Sequence, residues 1–164
     1  MVIMDERVRV GIADYKITKS PADLITLGLG SCVGIAIYDK GTKIGGLSHI
    51  MLPDSTAFVN NVKPEKFADL AIPKMIKEMN GGHLSSRNLV AKIAGGASMF
   101  NFPDQKMSSE IGKRNIEAVK KVLEELKIPI LAEDTGGNVG RTMVVTLDNF
   151  MVEIRSGNKQ IMVI

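Results

Sequence analysis

The chain has few of the residues that staple small secreted domains or stack on nucleic-acid bases. Cysteine occurs once, at Cys32, tryptophan is absent, and aromatic residues make up only 4% of the 164 residues. A single cysteine excludes an intrachain disulfide and favours a reduced, cytoplasmic setting. It also leaves only one candidate for a catalytic thiol.

Segments that would direct the chain into a membrane are also missing. The sequence contains no apolar run of about eighteen residues, and its first residues lack the pattern of a cleaved signal peptide. The formal net charge is +3, which is mildly basic. With so few aromatic residues, this charge does not predict a nucleic-acid-binding surface, and it fits an acidic protein partner equally well.

The residues that are present are typical of one mixed domain. Hydrophobic residues make up 45% of the chain, which also contains 16 glycines and many valines and isoleucines. A chain of this length buries a core without disulfide or metal staples. We therefore expect a single domain over residues 1–164 with an α/β or α+β fold.

Hydrophobic periodicity predicts the individual elements. One helix is expected to begin near Pro64 and to end at Gly81 and Gly82, with Pro73 kinking or restarting it. A second, strongly amphipathic helix is expected over about residues 109–127. Strands are predicted at residues 7–12, 24–29, 33–38, 44–52, 88–94, 130–133, 142–147, 150–155 and 160–164.

The turn between the third and fourth of these strands predicts a thiol and imidazole pair. If Lys40 and Gly41 are its two central residues, Cys32 stands directly opposite His49. Opposed residues of an antiparallel pair have Cβ atoms about 4.5 to 5.5 Å apart, within reach of a hydrogen bond. A longer loop would shift this register. Small residues on the same face predict open space beside the pair: Gly34, Ala36 and Gly45.

Such a pair is suited to nucleophilic catalysis. An imidazole that takes the thiol proton would give a thiolate and an imidazolium, and the thiolate would attack a carbonyl carbon. Backbone N–H groups near Ser31 and Cys32 are candidates for holding the oxyanion. The hydroxyl or carbonyl of Thr26 is a candidate for orienting His49.

Simpler interpretations of the same residues are also compatible with the sequence. A lone cysteine on a strand is most often a buried small hydrophobe, and threonine is simply a good strand residue. The run G-L-G-S-C-V-G at residues 28–34 does not have the spacing of a dinucleotide-binding loop, and Ser31 does not fit a nucleophile elbow. One cysteine with His49 and His83 does not form a metal-ligand cluster.

Six ordered motifs resemble those of the chemoreceptor glutamine deamidases, the CheD family. They are T-L-G-L-G-S-C-V from Thr26, S-H-I-M-L-P-D-S from Ser48, K-F-A-D-L-A-I-P from Lys66, A-K-I-A-G-G-A-S-M-F from Ala91, I-G-K-R-N-I-E-A-V from Ile111 and A-E-D-T-G-G-N-V-G-R from Ala132. Together they span nearly the whole chain.

This resemblance implies an activity and a set of site residues. The family hydrolyses selected glutamine side chains to glutamates on the cytoplasmic helices of chemotaxis receptors, without a cofactor or metal. By position in the motifs, Cys32 would be the nucleophile, His49 the general base and Thr26 the supporting third member. Gly30, Ser31 and Gly96 would line the substrate and oxyanion site, with glycine loops at Gly95 and Gly136 as rims.

The resemblance also implies a fold and partners. The fold would be an α+β layered sandwich of mixed and antiparallel sheets flanked by two main helices, similar to the cysteine deamidase toxins. The partners would be receptor helices and the phosphatase CheC, with no nucleic acid and no membrane insertion. A different class of function remains an alternative, namely a non-catalytic adaptor that binds receptors or CheC.

Overall fold

Two five-stranded sheets form the framework of the protein. The structure, a computed structural model, describes residues 6–56, 58, 63–98 and 106–164, and for 106–109 only the backbone. In sheet one the strand order is β1-β3-β8-β9-β10, and in sheet two it is β2-β5-β4-β6-β7. The strands of sheet one are β1 (Arg7–Val10), β3 (Asp23–Leu29), β8 (Arg141–Thr146), β9 (Val152–Ser156) and β10 (Ile161–Val163). Those of sheet two are β2 (Asp14–Lys19), β5 (Ile44–Ile50), β4 (Val33–Asp39), β6 (Leu89–Gly95) and β7 (Ile130–Thr135).

Both sheets are mixed. Strand β1 runs parallel to β3, and β6 runs parallel to β7, whereas the other neighbouring strands are antiparallel. The parallel pair in sheet two is joined through a helix, as a parallel crossover requires.

Helices α1 (Ala68–Met79) and α2 (Lys106–Glu125) cover one face of sheet two, and sheet one covers the other. Strand β4 shows this arrangement in its alternation, because Ile35 and Ile37 pack with the helices while Ala36 and Tyr38 pack with sheet one. The prediction of an α+β layered sandwich with two main helices is therefore confirmed. The likeness to the deamidase toxins stays a prediction.

Several element boundaries differ from the sequence prediction. Strand β2 was not predicted, although Tyr15 and Ile17 alternate with polar residues and pack with the helix-side core. The first predicted helix begins as a 3-10 turn at Pro64–Lys66, and α1 follows after the extended residue Phe67. Helix α1 continues through Pro73, which removes only one intrahelical hydrogen bond on a partly exposed face.

The hairpin between β4 and β5 corrects the predicted register. The observed pairs are Val33 with Ile50 and Gly34 with His49, because the loop from Lys40 to Lys43 holds four residues instead of two. Cys32 therefore precedes β4 and does not lie directly opposite His49. Cys32 still packs against the core between the sheets, which His49 also faces through Thr26, but no hydrogen bond joins the Cys32 thiol to His49 Nε2.

The described helices are short or polar along much of their length. None of them combines the length and apolar character that a bilayer crossing requires.

Candidate functional site

A hydrogen-bonded bridge between the two sheets holds His49. The Thr26 Oγ1 atom lies 2.7 Å from His49 Nδ1, and it donates a hydrogen bond to the Val10 carbonyl oxygen at 2.8 Å. Thr26 belongs to β3 in sheet one and His49 to β5 in sheet two. Both side chains are fully buried, so the bridge lies inside the sandwich. The contact between Thr26 and His49, which the sequence alone left open, is made.

This bridge sets the tautomer of the imidazole. A threonine hydroxyl has one hydrogen, and a carbonyl oxygen only accepts, so the hydroxyl hydrogen points at Val10. The hydroxyl oxygen must then accept from His49, which places the ring hydrogen on Nδ1. In the neutral ring Nε2 is therefore the nitrogen with a free lone pair. Nε2 is buried and has no hydrogen-bond partner among the residues that the structure describes.

Burial favours the uncharged form of both candidate groups. Desolvation lowers the pKa of His49 to about 4, and it raises the pKa of the half-buried Cys32 thiol. The backbone N–H of Cys32 acts in the opposite direction on the thiol, with a smaller effect. These shifts favour a neutral thiol beside a neutral imidazole, in contrast to the thiolate and imidazolium pair expected from the sequence.

Three successive carbonyl groups anchor the loop that carries Cys32. The Gly30 carbonyl accepts from the Ala97 N–H at 2.8 Å, and the Cys32 carbonyl accepts from the Gly96 N–H at 2.8 Å. The Ser31 carbonyl between them accepts from Asn115 Nδ2 at 2.9 Å. The loop is thus tied through its acceptors to the segment after β6 and to helix α2.

The N–H groups at the predicted oxyanion positions differ in whether they already have an acceptor. The Gly30 N–H donates to the Gly28 carbonyl at 3.0 Å, and the Gly96 N–H donates to the Cys32 carbonyl. No backbone hydrogen bond to a described residue outside the sheet ladders begins at the N–H of Ser31 or Cys32. Of the residues predicted to hold an oxyanion, Ser31 therefore has a backbone donor that no described residue engages, as does Cys32, whereas Gly30 and Gly96 shape the loop.

Glycine is required where the segment after β6 passes Cys32. Gly95 has a φ of +112°, and a Cβ atom there would lie 2.3 Å from the Cys32 carbonyl oxygen. A Cβ atom on Gly96 would lie 2.3 Å from Cγ1 of Ile116 on α2. Real Cβ atoms do not approach other atoms so closely, so the two glycines allow β6, the Cys32 loop and α2 to meet.

The open space predicted beside the pair is filled by sheet one. A Cβ atom on Gly34 would lie 2.8 Å from the Met143 sulfur, and one on Gly45 would lie 2.3 Å from a Leu147 methyl carbon. Met143 and Leu147 are both buried in the core between the sheets. The small residues of sheet two therefore accommodate large side chains of the opposing sheet, and they do not form a cleft.

The predicted rim loops do lie together beside the Cys32 loop. The Gly136 N–H donates to the Gly95 carbonyl, and the Ser98 N–H donates to the Gly137 carbonyl, both at 2.9 Å. Arg141 clamps the second loop, because its Nη2 donates to the Gly136 carbonyl while its Nε pairs with Asp134.

Asn115 is a residue at this site to which the sequence analysis gave no role. It is fully buried on α2, and its Nδ2 also donates to the Met51 carbonyl at 3.0 Å. The available signal was an asparagine in the apolar stripe of an amphipathic helix, one residue before Ile116 and four before Val119.

Comparison with known proteins connects this arrangement to one family. Residues 51–156 match the family model described as CheD chemotactic sensory transduction. A protein of Clostridium novyi, "Probable chemoreceptor glutamine deamidase CheD", is 58% identical over 92% of this chain and 93% of its own length. Proteins with the same name from Clostridium botulinum and Clostridium acetobutylicum are 62% and 58% identical, covering 84% and 93% of this chain and 85% and 95% of their own lengths.

The matched family region begins just after His49, but the relatives align over nearly the whole chain, the Cys32 and His49 segments included in that length. Identity above half over such coverage is far more than chance similarity of composition produces. The chain belongs to the CheD family.

Proposed function

We propose that this protein hydrolyses glutamine side-chain amides of chemotaxis receptors to glutamates, with Cys32 as nucleophile and His49 as base. The names of the relatives support the reaction and its substrate. The observation that carries the mechanism is the hydrogen-bonded bridge from Val10 through Thr26 to His49. It leaves the lone pair of Nε2 without a partner among the described residues, and Cys32 packs against the same core between the sheets.

The first half of the reaction acylates the thiol. His49 Nε2 takes the proton of the Cys32 thiol as Sγ attacks the carbon of the glutamine amide. The negative charge that develops on the amide oxygen is held by the backbone N–H groups of Ser31 and Cys32. The imidazolium then gives its proton to the departing nitrogen, so that ammonia leaves and a thioester remains.

The second half returns the enzyme to its resting state. His49 Nε2 takes a proton from a water molecule, whose oxygen attacks the thioester carbon. The carbon–sulfur bond breaks, Sγ recovers a proton from the imidazolium, and glutamate is released. In sum, one amide and one water give one carboxylic acid and one ammonia.

Burial of the pair suits this sequence of steps. Because desolvation lowers the pKa of His49 and raises that of Cys32, a free ion pair is disfavoured before substrate binds. Proton transfer then accompanies attack, and the imidazolium exists only while the oxyanion is present. Thr26 holds the ring in the required tautomer throughout. Its hydroxyl oxygen also stabilises the imidazolium by accepting the hydrogen bond from Nδ1–H.

The setting and partners complete the proposal. The substrate residues would lie on cytoplasmic helices of the receptors, and the protein would act in the cytoplasm without a cofactor. The phosphatase CheC is a second proposed partner, which would compete with receptors for the enzyme.

Mass spectrometry of a purified receptor fragment tests this function. Wild type should convert receptor glutamines to glutamates and release ammonia, whereas Cys32→Ala should lose at least about 10³-fold in rate because no other thiol is present. Conversion by Cys32→Ala would contradict the thiol mechanism. A wild-type protein that binds the fragment without converting it would indicate the adaptor alternative instead.

A further inference from the structure

Asn115 joins the two chain segments that carry the nucleophile and the base. The two hydrogens of its side-chain amide go to the carbonyl of Ser31, at 2.9 Å, and to the carbonyl of Met51, at 3.0 Å. Ser31 immediately precedes Cys32, and Met51 is the second residue after His49. One buried amide group therefore spans the positions that matter to the reaction.

The amide lies where the ladder between β4 and β5 ends. The last observed pair is Val33 with Ile50, and the next pair outward in that register would be Cys32 with Met51. Beyond Ile50 the strands separate, since the N–H groups of Met51 and Leu52 turn to the Lys66 carbonyl at 2.9 and 3.0 Å. The β4–β5 ladder therefore stops one residue short of Cys32, and the Asn115 amide bridges the two chain segments across the opening.

Helix α2 holds Asn115 rigidly in this opening. A Cβ atom on Gly112, one turn earlier, would lie 2.6 Å from the carbonyl oxygens of both Gly96 and Ala97. Ile116, the residue after Asn115, fills the space beside Gly96. Because the helix touches the loop on both sides of Asn115, the two hydrogen bonds have little freedom to relax.

We propose that Asn115 is a positioning residue that sets the separation of the Cys32 thiol and the His49 ring through the Ser31 and Met51 carbonyls. This inference rests on the proposed function. Without the amide, two carbonyls lose their donor and the ends of β4 and β5 separate. A displacement of about 1 Å between reacting groups costs on the order of 100-fold in rate.

The test compares Asn115→Ala with Asn80→Ala. Asn80 also donates from Nδ2 to a backbone carbonyl, that of Ser85, but it lies at the end of α1 outside the site. On receptor fragment, Asn115→Ala should lose about 10- to 100-fold in kcat with KM within about twofold of wild type. Asn80→Ala should match wild type in both. Circular dichroism at the assay temperature checks that both variants are folded, so that their rates can be compared.

Alkylation of Cys32 by iodoacetamide provides a readout that does not depend on turnover. We expect its rate to change several-fold in Asn115→Ala and to be unaltered in Asn80→Ala, since the thiol environment changes only in the former. If Asn115→Ala fails to fold, Asn115→Ser replaces it, because its hydroxyl, although one bond shorter than the amide, keeps one donor between the two carbonyls. An intermediate loss of kcat is expected for that variant.

The outcomes separate this inference from the proposed function. An active wild type with Asn115→Ala equal to Asn80→Ala in kcat and alkylation would overturn the positioning role alone, as would a change in KM with kcat intact. An inactive wild type would refute the proposed function, and the alkylation rates alone would then decide the inference. If neither Asn115 variant folds, Asn115 is a structural residue and the inference is wrong.

Discussion

Single atoms determine the chemical state of the site. The Val10 carbonyl is an ordinary backbone acceptor, yet by taking the only hydroxyl hydrogen of Thr26 it forces the His49 hydrogen onto Nδ1. If a donor replaced the Val10 carbonyl, the ring hydrogen could move to Nε2, and Nε2 would no longer have a lone pair with which to act as a base. The role of Thr26 therefore depends on its hydroxyl group and not on its strand propensity.

Thr26→Val tests this dependence because it keeps the branched shape and removes the hydroxyl. Deamidation should fall by roughly 10- to 100-fold, since His49 would lose its orientation. Unfolding should become easier by about 1 to 3 kcal/mol, because Nδ1–H and the Val10 carbonyl lose a buried partner. Thr26→Ser, which retains the hydroxyl, should recover most of the activity in the same assay. Equal activity of the valine and serine variants would refute the orienting role.

At the scale of elements, the site is a junction of three segments. The Cys32 loop, the residues that follow β6 and helix α2 meet with no room for side chains at Gly95, Gly96 and Gly112. Backbone groups make most of the polar contacts, because N–H groups of one segment donate to carbonyls of another. The position of Cys32 is consequently sensitive to substitutions on segments distant in sequence.

Gly95→Ala should disrupt this junction. The alanine would need a φ of +112° and a methyl group 2.3 Å from the Cys32 carbonyl oxygen. The left-handed backbone and the overpacking together should cost more than about 3 kcal/mol, measured by urea denaturation. Gly136→Ala is the matched control, since its φ is also positive but nothing lies within 4 Å of its added Cβ. It should cost about 1 to 2 kcal/mol. Similar losses in both variants would show that backbone strain alone is at work.

At the scale of the whole molecule, the site exists only when the two sheets are packed together. Thr26 and Val10 come from sheet one, whereas His49 comes from sheet two, and Met143 and Leu147 fill the space at Gly34 and Gly45 of sheet two. The same packing removes water from His49. The packing that positions His49 therefore also lowers its pKa, and this links the stability of the fold to the protonation of His49.

This linkage predicts an acid-sensitive fold. The pKa of His49 is about 4 in the folded protein, against about 6.5 for an unfolded histidine. Between these values the unfolded chain binds a proton that the folded chain does not, so stability is complete above about pH 6.5 and falls towards pH 4. The loss attributable to His49 should reach up to about 3 kcal/mol, because each unit of difference between the two pKa values corresponds to about 1.4 kcal/mol.

Urea denaturation of wild type and His49→Gln across this range measures that loss. The glutamine variant should have a flatter dependence of unfolding free energy on pH, because the buried titrating group is gone. His83→Gln, at an exposed histidine, controls for removal of an imidazole. Parallel curves for wild type and His49→Gln would contradict the assigned burial effect.

Much of the architecture follows from local sequence. The apolar runs at residues 33–38 and 44–52, separated by a turn, predict two adjacent strands, and the amphipathic pattern around Val119 predicts α2. Strand β2 was missed although its tyrosine and isoleucine alternate, because the surrounding residues are charged. The register of the β4–β5 hairpin was wrong by two residues, since a four-residue loop cannot be distinguished from a tight turn by composition alone.

The sequence by itself determined which residue types are available for chemistry, namely one thiol and a motif-borne histidine and threonine, and which strand face Thr26 and His49 occupy. Face follows from the two-residue period of a strand, which survives an error of two in register. The tertiary structure decided the tautomer of His49, the burial that disfavours charge on the pair, the filling of the expected cleft and the place of Asn115. These depend on contacts such as Val10 with Thr26 and Ser31 with Asn115, and on water removed when the sheets close, neither of which any local pattern encodes.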